Sequence, residues 1–171
     1  MAQPRHAPLL ILLASLAVLG GAFAFQYIGG LDPCILCIYQ RFPYGATIGL
    51  GAIALVLAHR GRRGALPWLM SLTAIAFAVG AAIAAYHVGV EQHWWRGTAA
   101  CGAGGAVATT IEELRRQIMN APIVRCDEVP WSLFGVSMAG YNVLMSAALA
   151  TFSLWAARGL ARREAAPGSA S

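Results

Sequence analysis

Two cysteines separated by two residues stand close to an arginine at the start of a long apolar segment. Cys34 and Cys37 open this segment, and Arg41 follows four residues after Cys37. Residues three or four positions apart lie on one face of a helix, so these three side chains would point the same way. A helix N-terminus stabilises a thiolate, because its free N–H groups and its dipole favour negative charge. The spacing therefore predicts a redox-active dithiol with a cation one turn away.

Arg41 lies inside a stretch that is long enough to cross a bilayer. An arginine near the centre of a membrane costs at least about 2.5 kcal/mol, which makes it a functional candidate. We expect Arg41 to lower the pKa of a cysteine and to donate hydrogen bonds to a carbonyl oxygen on which negative charge develops. The alternative is a guanidinium that extends to the lipid headgroups.

The other two cysteines, Cys101 and Cys126, lie in a long stretch between apolar segments. Four cysteines in two pairs fit disulfide chemistry, and disulfides persist in oxidising compartments such as the bacterial periplasm. Two other interpretations stay open. One is a membrane scaffold with two structural disulfides. The other is a Cys₄ zinc site, although such sites usually supply two closely spaced pairs.

His87 lies near the end of the third apolar segment, at the level expected for Cys37. A histidine there can assist proton delivery, and the alternative is a histidine that bonds a backbone carbonyl. Glu91 follows one turn later, and we expect it to face water; the alternative is a charge pair with Arg41. Trp94 and Trp95 are typical of the aromatic residues found at a membrane interface.

The elements that must position these residues are membrane helices. The chain is 58% hydrophobic and 11% charged, with a mean hydropathy of +0.63, whereas soluble domains have about 25% charged residues. Spanning helices need about 20 apolar residues, and four segments qualify: about 9–28, 38–58, 65–89 and 133–157. We expect an all-α fold, a four-transmembrane-helix bundle in one domain over 1–160, followed by a disordered tail over 161–171.

The arginines predict the orientation of this bundle. They cluster in the link between the second and third spans and after the fourth: Arg60, Arg62, Arg63, Arg158, Arg162 and Arg163. Positive residues mark the cytoplasmic side, so both termini are expected there and the loops at about 29–37 and 91–131 face outward. This distribution accounts for the net charge of +5 without a nucleic-acid partner. The alternative for the first span is a signal peptide cleaved after Ala22-Phe23-Ala24, but the apolar run continues to Ile28.

The second outer loop contains one further element. Thr109 and Thr110 each precede a glutamate by three residues, as in a capping box. Apolar residues then recur at helical spacing, at Ile111, Leu114, Ile118 and Met119. This pattern predicts a short amphipathic helix, which would lie on the membrane surface or pack on the bundle.

Three sequence motifs together resemble the DsbB family of disulfide bond formation proteins. They are Cys34-Ile-Leu-Cys37-Ile-Tyr39-Gln-Arg41, Tyr86-His87-Val-Gly89-Val-Glu91 and the segment from Val129 to Asn142. With the four spans, the resemblance covers about residues 8 to 158. The glycine-rich strip after Cys101 departs from what we expect of the family's better-known members, and this bears on which partner the loop recognises.

The resemblance implies a thiol:quinone oxidoreductase of the bacterial inner membrane, since a DsbA–DsbB–quinone relay keeps the periplasm oxidising. A DsbA-like periplasmic thiol oxidase would reduce a Cys101–Cys126 disulfide by attack at Cys101. Electrons would pass to Cys34 and Cys37, with Cys126 and Cys34 as the interloop pair. Cys37 would then donate them to a quinone, ubiquinone or menaquinone, beside Arg41 and His87.

Overall fold

Four long helices form the framework of the protein, which is seen in a computed structural model that describes residues 6–98, 101, 110–119 and 124–165. Each is long and apolar enough to cross a membrane, which confirms the predicted all-α bundle. In chain order the helices are α1 (Ala7–Tyr27), α2 (Ile35–His59), α3 (Leu66–Glu91), the short α4 (Ile111–Met119) and α5 (Met138–Ala165). A two-stranded hairpin, β1 (Ser132–Leu133) and β2 (Val136–Ser137), precedes α5.

The helices pack around α3, which lies against both α2 and α5, while α1 lies mainly against α2. Ile11, Met70 and Phe77 are fully buried in the core. Between α1 and α2, the hydroxyls of Ser15 and Thr47 form a buried hydrogen bond of 2.9 Å. Helices α1 and α5 touch each other little, which leaves space between them at the end of the bundle that carries the cysteines, called here the cysteine end.

Helix α5 begins at Met138, five residues later than the sequence indicated. The apolar residues that suggested a start near Leu133 form the hairpin instead, where Leu133 pairs with Val136. Phe134 and Gly135 make its two-residue turn, with φ of 50° and 78°, as primed hairpin turns require. Ser137 then caps α5, because its hydroxyl accepts a hydrogen bond from the Gly140 N–H at 3.1 Å.

The end of α5 also differs from the prediction. The chain remains helical to Ala165, so the expected disordered tail does not begin at residue 161. Alanines and arginines are good helix formers and continue the last turns. The rest of the predicted tail, 166–171, lies outside the described residues.

The amphipathic helix predicted in the second outer loop is present as α4. Thr110 begins it, since its hydroxyl accepts a hydrogen bond from the Glu113 N–H at 3.2 Å. Ile111 and Met119 are 84% and 77% exposed, so these two side chains are not covered by the bundle. The side chains of Leu114 and Ile118 lie outside the described part of the structure. The exposed residues favour a membrane-surface position for α4.

After α3 the chain folds back along the last turns of that helix. The Trp95 indole donates a hydrogen bond of 2.9 Å to the Tyr86 carbonyl, and the two rings stack. Trp95 also covers Gly89, where a Cβ atom would overlap its ring. Trp95 therefore anchors the segment that leads to Cys101, while Trp94 is 70% exposed, as a residue of an interfacial belt would be.

Substituting Gly89→Ala tests this anchor. The added methyl group should displace the Trp95 ring and destabilise the protein by roughly 1–3 kcal/mol, which thermal unfolding in detergent would measure. Gly49→Ala is the matched control, because a Cβ at Gly49 meets nothing within 4 Å. Equal unfolding temperatures for the two variants would contradict the close packing of Trp95 on Gly89.

Candidate redox site

The first cysteine pair is built into the start of α2. Cys34 is the N-cap residue, and its sulfur accepts a hydrogen bond from the Cys37 N–H at 3.3 Å. The two sulfurs lie 3.1 Å apart as free thiols. Cys34 is buried and Cys37 is partly buried. The cap places the sulfurs side by side at the positive end of the helix dipole.

These surroundings favour the thiolate form of Cys34. The hydrogen bond from the Cys37 thiol lowers the pKa of Cys34 most, and the hydrogen bond and charge of His87 and the Cys37 N–H add to that effect. Burial raises the pKa, but the net result is a value of about 4. The residues that lower this pKa are thus Cys37 and His87, whereas the expectation from sequence gave that task to Arg41.

The second cysteine pair forms a disulfide, Cys101–Cys126, that packs against the first pair. Cys101 is 1% exposed and Cys126 is not exposed. Both belong to a buried cluster that contains Cys34, with Cys37 packed against it. The fold therefore gathers all four cysteines of the chain at one place, although they come from separate segments.

His87 and Glu91 complete this cluster from α3. The His87 Nε2 lies 3.5 Å from the Cys34 sulfur, and His87 also forms a hydrogen bond with the backbone of Cys126. Glu91 was expected to face water, but it is 6% exposed. Its carboxylate accepts a 2.5 Å hydrogen bond from the Ser137 hydroxyl and lies 3.9 Å from the His87 Nε2. The hairpin before α5 covers Glu91, which the local sequence could not reveal.

Arg41 lies beside a cavity between α1, α2 and α5. Its Nη1 donates a hydrogen bond of 2.6 Å to the Gln26 Oε1, and its guanidinium lies 4.9 Å from the centre of the Phe23 ring. The cavity has a volume of about 380 Å³, within the range of small-molecule sites. Cys37 and Arg41 both line it, and most of the remaining wall is apolar. His87 is not among the lining residues and reaches the cavity only through Gln40.

Several polar residues that surround this site were not predicted from the sequence. Gln40, Tyr44 and Asn142 line the cavity, and Asn142 forms hydrogen bonds with each of the other two. The His87 Nδ1 lies 2.8 Å from the Gln40 Nε2. The signal that could have found them is their polarity, because polar side chains inside membrane spans are costly and usually face a functional interior.

Three side chains of this site carry atoms that can bind a metal ion. Cys34, Cys37 and His87 bring three ligand atoms within 4.8 Å of one another. The predicted alternative of a Cys₄ zinc site needs four thiolates. The Cys101–Cys126 disulfide removes two of them, so this structure does not support that alternative.

Comparison with known proteins identifies the family. Residues 4–156 match the family model of the disulfide bond formation protein DsbB. The chain belongs to the DsbB family. It is 32% identical to disulfide bond formation protein B of Verminephrobacter eiseniae, over 85% of this chain and 81% of the relative. It is 28% identical to disulfide bond formation protein B 1 of Pseudomonas aeruginosa, over 90% of this chain and 94% of the relative. No solved structure gives a significant match.

Membership of the DsbB family defines the general activity. The protein is a disulfide-bond-forming oxidoreductase, and its four spanning helices make it a multi-pass protein of the bacterial inner membrane. A scaffold with two structural disulfides does not fit the family or the free Cys34–Cys37 pair.

The lowered pKa of Cys34 predicts a thiolate under acidic conditions. In reduced protein carrying Cys101→Ser and Cys126→Ser, thiolate ultraviolet absorbance should persist as the pH falls and disappear only near the value of about 4. An ordinary thiol would lose it near pH 8.5. Cys34→Ser should abolish the acidic step, and His87→Gln should move it to higher pH. A single step near pH 8.5 in the parent protein would contradict the proposed stabilisation.

Proposed function

We propose that this DsbB-family protein is a thiol:quinone oxidoreductase that reoxidises a DsbA-like periplasmic thiol oxidase. The observation that carries the proposal is the position of Cys37, which packs against the buried cluster of the other three cysteines and also lines the cavity beside Arg41. Electrons that enter at the outer disulfide can therefore reach a lipid-soluble acceptor through sulfur exchange alone. No soluble cofactor is needed.

The first exchange takes place at Cys101. A thiolate of the reduced partner attacks the Cys101 sulfur, and Cys126 leaves as a thiolate. The partner's second thiolate then attacks the partner's own sulfur in the mixed disulfide, which oxidises the partner to a disulfide and releases Cys101 as a thiolate. Because both sulfurs are buried, the Cys101–Cys126 disulfide must become accessible before the partner can attack.

The second exchange joins the two pairs. The Cys126 thiolate attacks Cys34 in an oxidised Cys34–Cys37 pair, and Cys37 leaves as a thiolate. The Cys101 thiolate then attacks Cys126, which restores the outer disulfide and leaves Cys34 reduced. The arrangement described above, with Cys101–Cys126 bonded and Cys34 and Cys37 free, corresponds to the state after this step. His87 lies beside Cys34 and Cys126 and can donate a proton to the departing sulfur.

The cavity fits a quinone headgroup. Its apolar wall suits a lipid-soluble ring, and Arg41 supplies N–H donors for a carbonyl oxygen that becomes negative. The quinone, ubiquinone or menaquinone, supplies the oxidising power by accepting two electrons and two protons. Cys37 presents its sulfur in the wall, Arg41 orients the ligand, and the surrounding apolar residues exclude water.

The orientation of the bundle belongs to the same proposal. The link between α2 and α3 carries Arg60, Arg62 and Arg63, and the end of α5 carries three more arginines. These lie at the end opposite the cysteines. By the positive-inside rule this end is cytoplasmic, so the cysteine end faces the periplasm and both termini face the cytoplasm.

Turnover with a reduced DsbA-like protein and a soluble quinone tests the relay. Quinone consumption should vanish in Cys34→Ser and in Cys37→Ser, because either change breaks the inner dithiol. Arg41→His should raise the KM for quinone about tenfold or more, since a charged hydrogen bond is worth roughly 1.5–3 kcal/mol. The KM for the thiol partner should change little.

The matched control is Arg60→His, at an exposed position of the cytoplasmic link, which should leave both KM values unchanged. An unchanged KM for quinone in Arg41→His would remove Arg41 from the quinone site. Full quinone consumption in Cys37→Ser would contradict the relay itself.

Reporter fusions test the orientation. Alkaline phosphatase needs disulfides, which form only on the oxidising side of the membrane. The enzyme should be active when fused after His93 and inactive when fused after Gly61. The opposite pattern would place the cysteines in the cytoplasm.

A further inference from the structure

A chain of buried polar side chains links the Cys34 sulfur to helix α5. The His87 Nε2 faces Cys34, and its Nδ1 lies 2.8 Å from the Gln40 Nε2. The Gln40 Oε1 in turn accepts a hydrogen bond from the Asn142 Nδ2. The Asn142 Oδ1 accepts one from the Tyr44 hydroxyl at 2.6 Å. Because this chain runs inside membrane helices, each unpaired group in it would be costly.

Two hydroxyl groups lie at the far end of this chain. Tyr44 and Ser146 donate to the Asn142 Oδ1 at 2.6 and 3.2 Å, and their hydroxyls lie 2.8 Å from each other. An amide oxygen has two lone pairs and can accept from both donors. In this arrangement Asn142 presents its Nδ2 to Gln40.

The same direction continues to His87. Gln40 uses its oxygen for Asn142 and has only its NH₂ group left for the His87 Nδ1. A ring nitrogen that accepts a hydrogen bond carries no proton, so a neutral His87 must hold its proton on Nε2. That proton points at the Cys34 sulfur.

We propose that Asn142 is a positioning residue that acts through Gln40 to hold His87 in the tautomer with its proton on Nε2, facing Cys34. The inference rests on the proposed function, in which Cys34 must be attacked as a disulfide and must leave as a thiolate. Without this constraint the imidazole could place its proton on Nδ1 and turn a lone pair towards the sulfur. A lone pair there would repel a thiolate, whereas the N–H group stabilises it.

Nitrogen-15 NMR of histidine-labelled, quinone-free protein in detergent measures the tautomer directly. In the parent protein, at a pH where His87 is neutral, the signals lost in His87→Gln should show a protonated Nε2 and an unprotonated Nδ1. Asn142→Asp supplies only acceptor atoms. Gln40 must then turn its NH₂ group to the new carboxylate and its oxygen to His87, so the proton should move to Nδ1.

Gln40→Glu provides a second route to the same change, because the carboxylate faces His87 directly and requires a proton on Nδ1. The matched control is Ser153→Ala, which removes another buried polar group from α5. The Ser153 hydroxyl donates only to the Leu149 carbonyl among the described contacts, so the tautomer should stay on Nε2. If both Asn142→Asp and Gln40→Glu keep the proton on Nε2, or if the parent protein holds it on Nδ1, the inference is overturned.

Turnover separates this inference from the proposed function. With reduced partner and quinone, kcat should fall at least about tenfold in Asn142→Asp, in keeping with the loss of a positioned proton donor, and should be unchanged in Ser153→Ala. An unchanged kcat with a shifted tautomer would overturn the role of Asn142 in the reaction. If the parent protein shows no turnover with quinone but the variants still move the His87 proton to Nδ1, the positioning role of Asn142 is supported and the proposed function is overturned.

Discussion

The hydrogen bond by which Cys34 caps α2 is the interaction on which the site depends. It fixes the first cysteine at the N-terminus of a membrane helix and places the second within 3.1 Å of it. Because the helix continues from there, Cys37 and Arg41 follow on the face that lines the cavity. One local contact thus places the buried dithiol next to the cavity inside the bundle.

The surrounding fold keeps this capped pair buried and in contact with its counterpart. The segment after α3 returns over Gly89 and brings Cys101 to the cluster, and the chain before the hairpin brings Cys126. The Ser137 hydroxyl makes two contacts: it caps the N-terminus of α5 and donates a hydrogen bond to the Glu91 carboxylate. These contacts explain how segments far apart in the sequence supply one site. They also keep both sulfurs of the Cys101–Cys126 disulfide buried.

Much of this organisation could be predicted from the sequence, because the signals are local. Apolar length gave four spans, and the Cys34-x-x-Cys37 spacing gave a dithiol at a helix start. The errors came from tertiary contacts. Glu91 was predicted to face water, but a hydrogen bond from Ser137 holds it in a buried position. The chain from Leu133 was predicted to be helical, but Leu133 pairs with Val136 in a hairpin. The bond between Gln40 and Asn142 joins residues 102 positions apart, and no local pattern predicts it.

The proposed relay requires that the two cysteine pairs lie close enough to exchange bonds directly. Peptide mapping by mass spectrometry tests it in the double variant Cys37→Ser/Cys101→Ser, treated in membranes with a mild thiol oxidant. We expect an intramolecular disulfide between Cys34 and Cys126 in most of the molecules. Recovery of both cysteines as free thiols, under conditions that fully oxidise Cys101 and Cys126 in the parent protein, would contradict it.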